Sequence, residues 1–316
     1  MTDSVRILAA GDARIPSSLI ARAIGEAVRD PRARVRELTR GADAEITGEE
    51  LLAASKGIDA LVTRSAPITE EFLEARPTLR LVAICGERPG DLDREAAARR
   101  DVRICHTPGC GTAAVAEHTL GLMLALLRHT VGGGGRRTDY EHAGRELEDL
   151  PVGVIGHGAA GGRVARLLCA FGARVLVYDP YARGEIHGLR VSSLDELLTR
   201  SRVITLHAAD TPETRGLVGA RELALLPPDA AVVHTAGSPQ VDEEALSRAL
   251  ESGRVSGAAL ASDTAPPRLR ALAGRRLLLA PGAADATRAA AEKAVRAAAD
   301  EVARWLRGVP PAHALT

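Results

Sequence analysis

Aromatic residues are scarce in this chain and make up only 2% of its 316 residues. A surface that binds nucleic acid by stacking the bases needs several aromatic rings, so the composition argues against such a surface. The formal net charge is zero, which provides no broad electrostatic attraction to nucleic acid or to an anionic membrane. We therefore expect a small-molecule partner, and neither a nucleic-acid nor a membrane partner.

Cysteines are also few. The four thiols, Cys85, Cys105, Cys110 and Cys169, show neither a disulfide framework nor the close spacing of metal ligands. Reduced thiols are the rule in the cytosol, and burial without a neighbouring base would leave Cys85 and Cys110 inert. The amino terminus lacks the apolar run of a signal peptide, and no segment has the length of a membrane span. These absences predict a cytoplasmic protein without a metal site.

The most informative stretch, residues 151–180, has the pattern of strand, glycine turn, helix, strand and carboxylate. Gly156 allows a sharp turn, Gly158 lets the backbone approach a pyrophosphate, and Gly161 lets helix and strand pack closely. The phosphates of a dinucleotide would then lie at the amino end of the helix, where free N–H groups favour negative charge.

Asp179 ends the second strand of this stretch, 18 residues after Gly161. A carboxylate in this place accepts hydrogen bonds from an adenosine ribose and repels a 2′-phosphate. A glycine-rich turn that binds nothing is the alternative, but it requires neither the helix nor the acid in register. The stretch therefore predicts a site for NAD, with NAD favoured over NADP.

Apolar runs alternate with helical periodicity in both halves of the chain. We predict strands over residues 5–9, 60–63, 79–85, 102–105, 151–155, 174–178, 203–207, 230–234, 257–260 and 277–280. Helices are predicted over residues 16–28, 69–75, 93–100, 113–129, 194–198, 242–250 and 287–306, together with one inside the glycine stretch. Such alternation predicts an α/β fold with two Rossmann-like, doubly wound domains.

The closing helix can pack back on the first domain, which would make that domain discontinuous. We expect residues 1–105 and 288–316 to form a flavodoxin-like substrate domain, and residues 106–287 to form the NAD-binding domain. A cleft between the two domains is then the natural ligand site.

Several short motifs share the pattern of one enzyme family: Val62–Ser65, Pro108–Gly109, Val115–Leu124, the glycine stretch, Leu206–His207, Pro212–Leu217, Val241–Leu246, Gly257–Leu260 and Val302–Gly308. On these motifs the chain resembles the D-isomer-specific 2-hydroxyacid dehydrogenases, which include D-3-phosphoglycerate dehydrogenases, over nearly its whole length. The resemblance implies hydride transfer between NAD and a 2-hydroxy or 2-keto acid. It also implies an Arg that binds the substrate, a His that moves the hydroxyl proton, and a Glu that raises the pKa of that His.

Together, the glycine stretch and the resemblance assign the following positions to cofactor binding: Gly156, His157, Gly158, Ala159, Ala160, Gly161, Asp179, Pro180, His207, Ala208, Thr214, Thr235 and Ala236. The substrate side would involve Arg64, Ser65, Gly86, Glu87 and Arg88. Arg64 resembles a family substrate contact and favours an anionic ligand. A solvated surface pair is the alternative interpretation of Glu87 and Arg88.

The three catalytic positions of the family hold other residues in this chain. Gly237 stands at the Arg position, Pro266 at the Glu position and Gly282 at the His position. Neither glycine can donate a proton or bind a carboxylate through a side chain, so we expect ordinary hydroxyacid dehydrogenation to be crippled. His234 replaces the family Asn beside the nicotinamide region and is a candidate acid or base, although a structural histidine is the alternative.

Weaker candidates for polar chemistry are His106, His207, Asp263 and Asp285. Three functions remain open: a repurposed enzyme that acts on a small polar or anionic metabolite, a non-catalytic NAD(H)-binding sensor or scaffold, and a working hydroxyacid dehydrogenase. The resemblance also implies a homodimer. The arm over residues 131–144 is short, glycine-rich and free of Trp, so the contacts of that dimer should differ from those of the family.

Overall fold

The computed structural model describes residues 4–38, 46–87, 91–130, 143–237, 239–262, 265–282 and 284–315. The chain forms two compact units, one made of Met1–Gly111 and Ala286–Thr316 and the other of Thr112–Asp285. Most of the predicted dimer arm, residues 131–142, lies outside the described residues, and so do Arg88 and Asp263. No helix of the described ranges is long and apolar enough to cross a membrane.

Strands and helices alternate along the described residues. The strands are β1 Val5–Ala10, β2 Ala33–Glu37, β3 Ala60–Thr63, β4 Leu81–Ile84, β5 Arg103–His106, β6 Pro151–Ile155, β7 Arg174–Tyr178, β8 Leu189–Arg190, β9 Val203–Leu206, β10 Ala231–His234, β11 Gly257–Leu260 and β12 Leu277–Leu279. The helices are α1 Ser17–Ala27, α2 Gly48–Ala54, α3 Glu70–Glu74, α4 Arg94–Arg99, α5 Thr112–Leu127, α6 Ala159–Ala170, α7 Leu194–Arg200, α8 Ala220–Leu225, α9 Glu243–Glu251, α10 Pro267–Arg270 and α11 Arg288–Leu306.

The first unit is built on a sheet with the strand order β2-β1-β3-β4-β5, and its described strands pair in parallel. Strands β3 and β4 are buried along their whole length because helices cover both faces of the sheet. Helices α1 and α11 pack on one face, where the alanine-rich α11 buries a stripe that includes Ala294, Ala298 and Val302. The order of the strands reverses between β1 and β3, and such a switch point is the usual ligand site of an open α/β sheet.

The second unit is built on a sheet with the order β12-β11-β10-β9-β6-β7-β8, whose described strands are also parallel. Helices α5 and α6 cover one face, and α7, α8 and α9 cover the other. The order reverses at β6, so the glycine loop that follows β6 lies at the switch point. Both units have parallel sheets of the Rossmann type, which confirms the predicted fold class.

Two elements of the first unit are absent from the sequence prediction. Strand β2 has a mainly exposed and charged sequence because it lies at the sheet edge, and it therefore lacks the apolar run of a buried strand. Helix α2 is short, but Thr47 and Glu50 form a capping box at its start. That four-residue pattern is readable in the sequence and would have located the helix.

Candidate functional site

The glycine loop between β6 and α6 and the first turn of α6 each contain a glycine that the packing requires. Gly156 has a φ of +89°, and a methyl group on it would lie 2.5 Å from the backbone N of Ala208. A methyl group on Gly161 would lie 2.0 Å from the carbonyl oxygen of Gly156. These are backbone atoms that cannot move aside. Packing by itself therefore excludes a larger residue at both positions, whether or not a ligand binds.

Gly158 differs, because no atom lies within 4 Å of a methyl group placed on it. It is the N-cap of α6, whose first turn contains Ala159 and Ala160. The first N–H groups of a helix have no carbonyl partner within the helix, and its dipole favours an anion there. Open space next to free N–H groups fits the phosphates of a dinucleotide, and a side chain at Gly158 would occupy that space.

Asp179 follows β7 and lies beside the glycine loop. Its Oδ2 accepts a hydrogen bond from the His157 N–H at 2.7 Å, and its Oδ1 accepts from Tyr181 at 2.8 Å and Ala182 at 3.0 Å. Burial raises the pKa of this carboxyl, but the three backbone N–H groups outweigh it and hold the pKa below its usual value. Oδ2 accepts one of these hydrogen bonds and retains a lone pair for a further donor, such as a ribose hydroxyl. Pro180 is exposed.

His207 and Ala208 follow β9, the strand next to β6. His207 Nε2 lies 2.9 Å from the hydroxyl of the buried Thr205. Burial, with His234 nearby, lowers the pKa of His207 to about 3, so the ring is neutral at physiological pH. The side chain of the fully buried Gln240 donates to the carbonyl oxygens of Ala208 and Ala209 and so holds this loop.

His234 and Thr235 lie at the carboxyl end of β10. His234 is 5% exposed and pairs in register with Leu206, so the structure brings it close to His207. The Thr119 hydroxyl donates to the Val115 carbonyl at 2.7 Å, and it therefore accepts the hydrogen bond from Thr235 at 2.9 Å. This contact fixes the Thr235 hydroxyl beside α5.

Two other predicted cofactor positions lie in loops of the second unit. Ala236 follows Thr235 and is half-buried. Thr214 is occupied within its own turn, because its hydroxyl donates to the Ala209 carbonyl at 2.6 Å.

The three positions that the resemblance assigns to the catalytic Arg, Glu and His contain no ionisable side chain. Gly237 has a φ of +61° and Gly282 has a φ of +57°, which is the left-handed region that favours glycine. Pro266 precedes α10 as its N-cap, and its carbonyl accepts the first hydrogen bonds of that helix turn, from Arg270 at 3.0 Å. Backbone conformation therefore suits the residues that are present.

In the first unit, Asp12 and Arg64 meet at the switch point between β1 and β3. Arg64 Nε lies 3.2 Å from Asp12 Oδ2, and the Ser65 hydroxyl donates to the same oxygen at 2.9 Å. The terminal nitrogens of Arg64 make no hydrogen bond to any described residue, and the side chain is 28% exposed. Asp12 therefore orients a guanidinium whose terminal donors can bind an anion. Asp12 was not predicted, although its position just after β1 is the signal that could have identified it.

Gly86 and Glu87 follow β4 at the same edge of the sheet. The Gly86 N–H donates to the Thr107 hydroxyl at 2.8 Å, so this N–H is already engaged within the unit. The exposed Glu87 accepts a hydrogen bond at its carbonyl from His106 Nδ1 at 2.9 Å. Because a carbonyl only accepts, the proton of neutral His106 is on Nδ1 and its Nε2 is an acceptor.

The thiols of the first unit are not activated. Burial raises the pKa of Cys85 far above its usual range and that of Cys105 to about 12, and burial also raises the pKa of Cys110. Within the described ranges, no group of three His, Cys, Asp or Glu side chains is arranged to hold a metal ion. Asp285 is exposed at the end of the second unit.

Comparison with known proteins identifies the family. Residues 120–272 match the D-isomer specific 2-hydroxyacid dehydrogenase, NAD binding domain. The chain is 38% identical to the D-3-phosphoglycerate dehydrogenase of Mycobacterium tuberculosis over 67% of this chain, and the match spans 42% of that enzyme's length. It is 32% identical to the glyoxylate reductase of Thermofilum pendens, over 84% of this chain and 83% of that protein.

Among solved structures, the TT0316 protein from Thermus thermophilus is 28% identical, with a TM-score of 0.84 over 99% of this chain and 100% of that one. The glycine loop, Asp179 and the strand order agree with these relationships. The chain therefore belongs to the D-isomer-specific 2-hydroxyacid dehydrogenase family.

Proposed function

We propose that this chain binds NAD(H), has lost the hydroxyacid dehydrogenase chemistry of its family, and acts on another small polar or anionic metabolite. The observation that carries the proposal is a contrast within the second unit. Open space beside free N–H donors remains at Gly158, and Asp179 remains as an acceptor for a dinucleotide. In contrast, Gly237, Pro266 and Gly282 provide no acid, base or carboxylate-binding side chain.

NAD is the cofactor that these residues support. Bound NAD supplies or accepts a hydride, and this chain would hold it through the first turn of α6 and the Asp179 carboxylate. Asp179 is kept ionised by its three N–H donors, so a 2′-phosphate would meet a full negative charge. We infer from this a preference for NAD over NADP.

The loss of the usual chemistry follows from residue types. General acid–base catalysis contributes roughly 10²–10⁴ in rate, and an oriented charged donor contributes a comparable factor. His234, buried at the carboxyl end of β10, is the proposed substitute beside the cofactor. On the substrate side, Arg64 oriented by Asp12 supports a ligand that carries an anionic group.

The alternative function is a non-catalytic NAD(H)-binding sensor or scaffold. A sensor or scaffold would use the same dinucleotide site as the proposed enzyme, but it would convert no substrate. Calorimetric titration with NAD, NADH and NADP is the first experiment, and absence of any binding would contradict both functions. The variants His234→Ala and Arg64→Ala are then compared in any assay that detects a product. If both variants still bind NAD and still form product, the proposed chemistry is refuted.

A screen of 2-keto acids with NADH, followed at the nicotinamide absorbance, tests the assignment of the lost positions. We expect no turnover by the natural chain. The triple variant Gly237→Arg, Pro266→Glu and Gly282→His restores the family residue types, although each glycine replacement costs about 1–2 kcal/mol in the left-handed region. Robust reduction of a 2-keto acid by the natural chain would show that its activity does not require Arg, Glu and His at these three positions.

We also propose a homodimer, as the resemblance implies. Light scattering at several protein concentrations tests this state, and a monomer throughout would contradict it.

A further inference from the structure

The fully buried Gln240 joins two loops at the carboxyl edge of the second sheet. Its side-chain Nε2 donates to the Ala208 carbonyl at 2.6 Å and to the Ala209 carbonyl at 3.1 Å, and both acceptors lie in the loop that follows β9. Gln240 itself lies in the segment that follows β10 and that also contains Thr235. A single amide therefore connects the loops of two neighbouring strands.

The backbone beneath this side chain is fixed independently of the amide. The Pro239 carbonyl accepts a hydrogen bond from the Gly216 N–H at 2.7 Å, and the Gln240 carbonyl accepts one from the Val218 N–H at 3.0 Å. Val218 also forms a parallel bridge with Val241. Because its backbone is held by these contacts, the Gln240 side chain reaches the loop after β9 from a fixed position.

Packing alone does not account for a polar side chain at Gln240. Backbone carbonyls only accept, so the amide must present Nε2 to them, and its Oε1 is buried without a partner among the described residues. A buried acceptor without a partner costs stability, and an aliphatic side chain would fill the space without that cost. The Ala209 carbonyl also accepts from the Thr214 hydroxyl at 2.6 Å, whereas within the described ranges the Ala208 carbonyl receives no other side-chain hydrogen bond. The position of Ala208 is therefore what the amide adds.

The loop after β9 lies against the glycine loop. A methyl group on Gly156 would lie 2.5 Å from the Ala208 N, so the two backbones are in direct contact. In the sheet, β6 stands between β7 and β9, so Asp179 after β7 and Ala208 after β9 flank the glycine loop from opposite sides. A dinucleotide whose adenosine ribose binds Asp179 and whose phosphates bind at Gly158 then extends its second nucleoside toward Ala208.

We propose that Gln240 is a positioning residue for the second nucleoside of the dinucleotide, and that it acts by holding Ala208 and its loop beside the glycine loop. This inference rests on the proposed NAD site. It predicts a division within the ligand, because the adenosine half depends on Asp179 and the other half depends on the loop that Gln240 holds. The buried amide, its fixed backbone and the contact of Ala208 with Gly156 together support it.

The test compares the affinity for NAD with that for AMP, which carries the adenosine half alone, by calorimetric titration of the full chain. Gln240→Met keeps the length of the side chain and removes both donors, so a smaller fraction of molecules should have the loop in the binding position. We expect NAD affinity to fall at least about fivefold and AMP affinity to change by less than about twofold. Equal losses for NAD and AMP, or no loss for either, would overturn the proposal.

Ser201→Ala is the matched control. The buried Ser201 hydroxyl donates to the Leu197 carbonyl at 2.7 Å, and Ser201 precedes β9, so it lies at the opposite edge of the same sheet. This variant also loses a buried hydrogen bond from a side chain to the backbone, and it should lose stability without any change in the ratio of NAD affinity to AMP affinity. A ratio that changes as much in Ser201→Ala as in Gln240→Met would indicate a general loss of stability and would refute positioning.

Gln240→Glu provides a second test, which also applies if Gln240→Met does not fold. An ionised carboxylate cannot donate to the two carbonyls, whereas a protonated carboxyl group donates one hydrogen. Because burial raises the pKa of a carboxyl group, NAD affinity of this variant relative to the natural chain should rise as the pH falls from about 8 to about 5.5. A ratio that does not change with pH would contradict the donor role. If the natural chain binds no dinucleotide, the proposed function itself fails, whereas NAD binding by the natural chain with an unchanged ratio in the variants contradicts this inference alone.

Discussion

Gly158, the N-cap of α6, and Gly161, in its first turn, lie three residues apart, and replacing each by alanine should change a different property. In Gly158→Ala the new methyl group meets no atom within 4 Å, and the residue has a φ of −72° that alanine adopts without strain. In Gly161→Ala the methyl group would lie 2.0 Å from the Gly156 carbonyl oxygen and 3.1 Å from the His207 Cβ. One change therefore fills ligand space, and the other breaks the packing of helix on strand.

The magnitudes follow from these contacts. Gly158→Ala restricts the unfolded chain, which stabilises the folded protein by about 0.4–1 kcal/mol. It also replaces glycine by the poorer N-cap residue alanine, which costs a similar amount. Its free energy of unfolding should stay within about 1 kcal/mol of the natural value. Overpacking costs roughly 1–3 kcal/mol where side chains can adjust, so Gly161→Ala, with a clash against backbone, should lose at least about 3 kcal/mol.

Urea unfolding followed by circular dichroism measures the stabilities, and calorimetric titration with NAD measures binding. We expect Gly158→Ala to fold normally and to lose most of its NAD affinity. Gly25→Ala is the control, because Gly25 lies in α1 of the other unit with open space around it and should gain about 0.5–1 kcal/mol without any change in NAD binding. Natural NAD affinity in Gly158→Ala, or equal stability of Gly158→Ala and Gly161→Ala, would refute the reasoning.

Three further predictions concern single carboxylates and one histidine. Asp179→Ser removes a charge that three N–H groups keep ionised, so NADP affinity relative to NAD should rise by roughly tenfold in competition titrations, and an unchanged ratio would contradict the charge argument. His207 has a folded pKa of about 3, below its unfolded value, so the unfolded state binds more protons between these values. Stability should thus fall as the pH drops below about 6.5, by at most about 1.4 kcal/mol per pH unit, and His207→Gln should weaken this dependence in urea titrations at pH 5 and 7. The buried Glu301 accepts the Ala312 N–H at 2.9 Å, so Glu301→Ala should cost roughly 1–2 kcal/mol and speed hydrogen exchange over residues 312–315, while unchanged exchange would show that the carboxylate does not hold the carboxyl-terminal segment.

Most of the fold could be predicted because its signals are local. Buried parallel strands such as Ala60–Thr63 and Leu81–Ile84 are apolar throughout, and a run of that kind is visible without any tertiary information. Strand β2 was not predicted because an exposed edge strand needs no apolar run. Its pairing with β1 is visible only in the tertiary structure. The glycine loop was predicted because its spacing encodes a strand, a turn and a helix in one continuous stretch.

The candidate site could be predicted only in part. Asp179 and the glycines were identified from spacing, but the Asp12 contact with Arg64 joins two segments more than fifty residues apart. Gly86 was predicted on the substrate side, but its N–H donates to the hydroxyl of Thr107, which follows the neighbouring strand β5. No periodicity or motif in a sequence reports such pairings.

The sequence by itself determined the fold class, the dinucleotide loop and the residue types at Gly237, Pro266 and Gly282, because each depends on the order of residues in a short segment. Only the tertiary structure decided how closely the segment after β9 approaches the glycines, with the Ala208 N 2.5 Å from a methyl group on Gly156 and the His207 Cβ 3.1 Å from one on Gly161. It also decided that Asp12 meets Arg64 and that the Thr107 hydroxyl accepts the Gly86 N–H. The physical reason is that strand pairing and helix packing set these distances, and both bring together segments that are far apart in the chain.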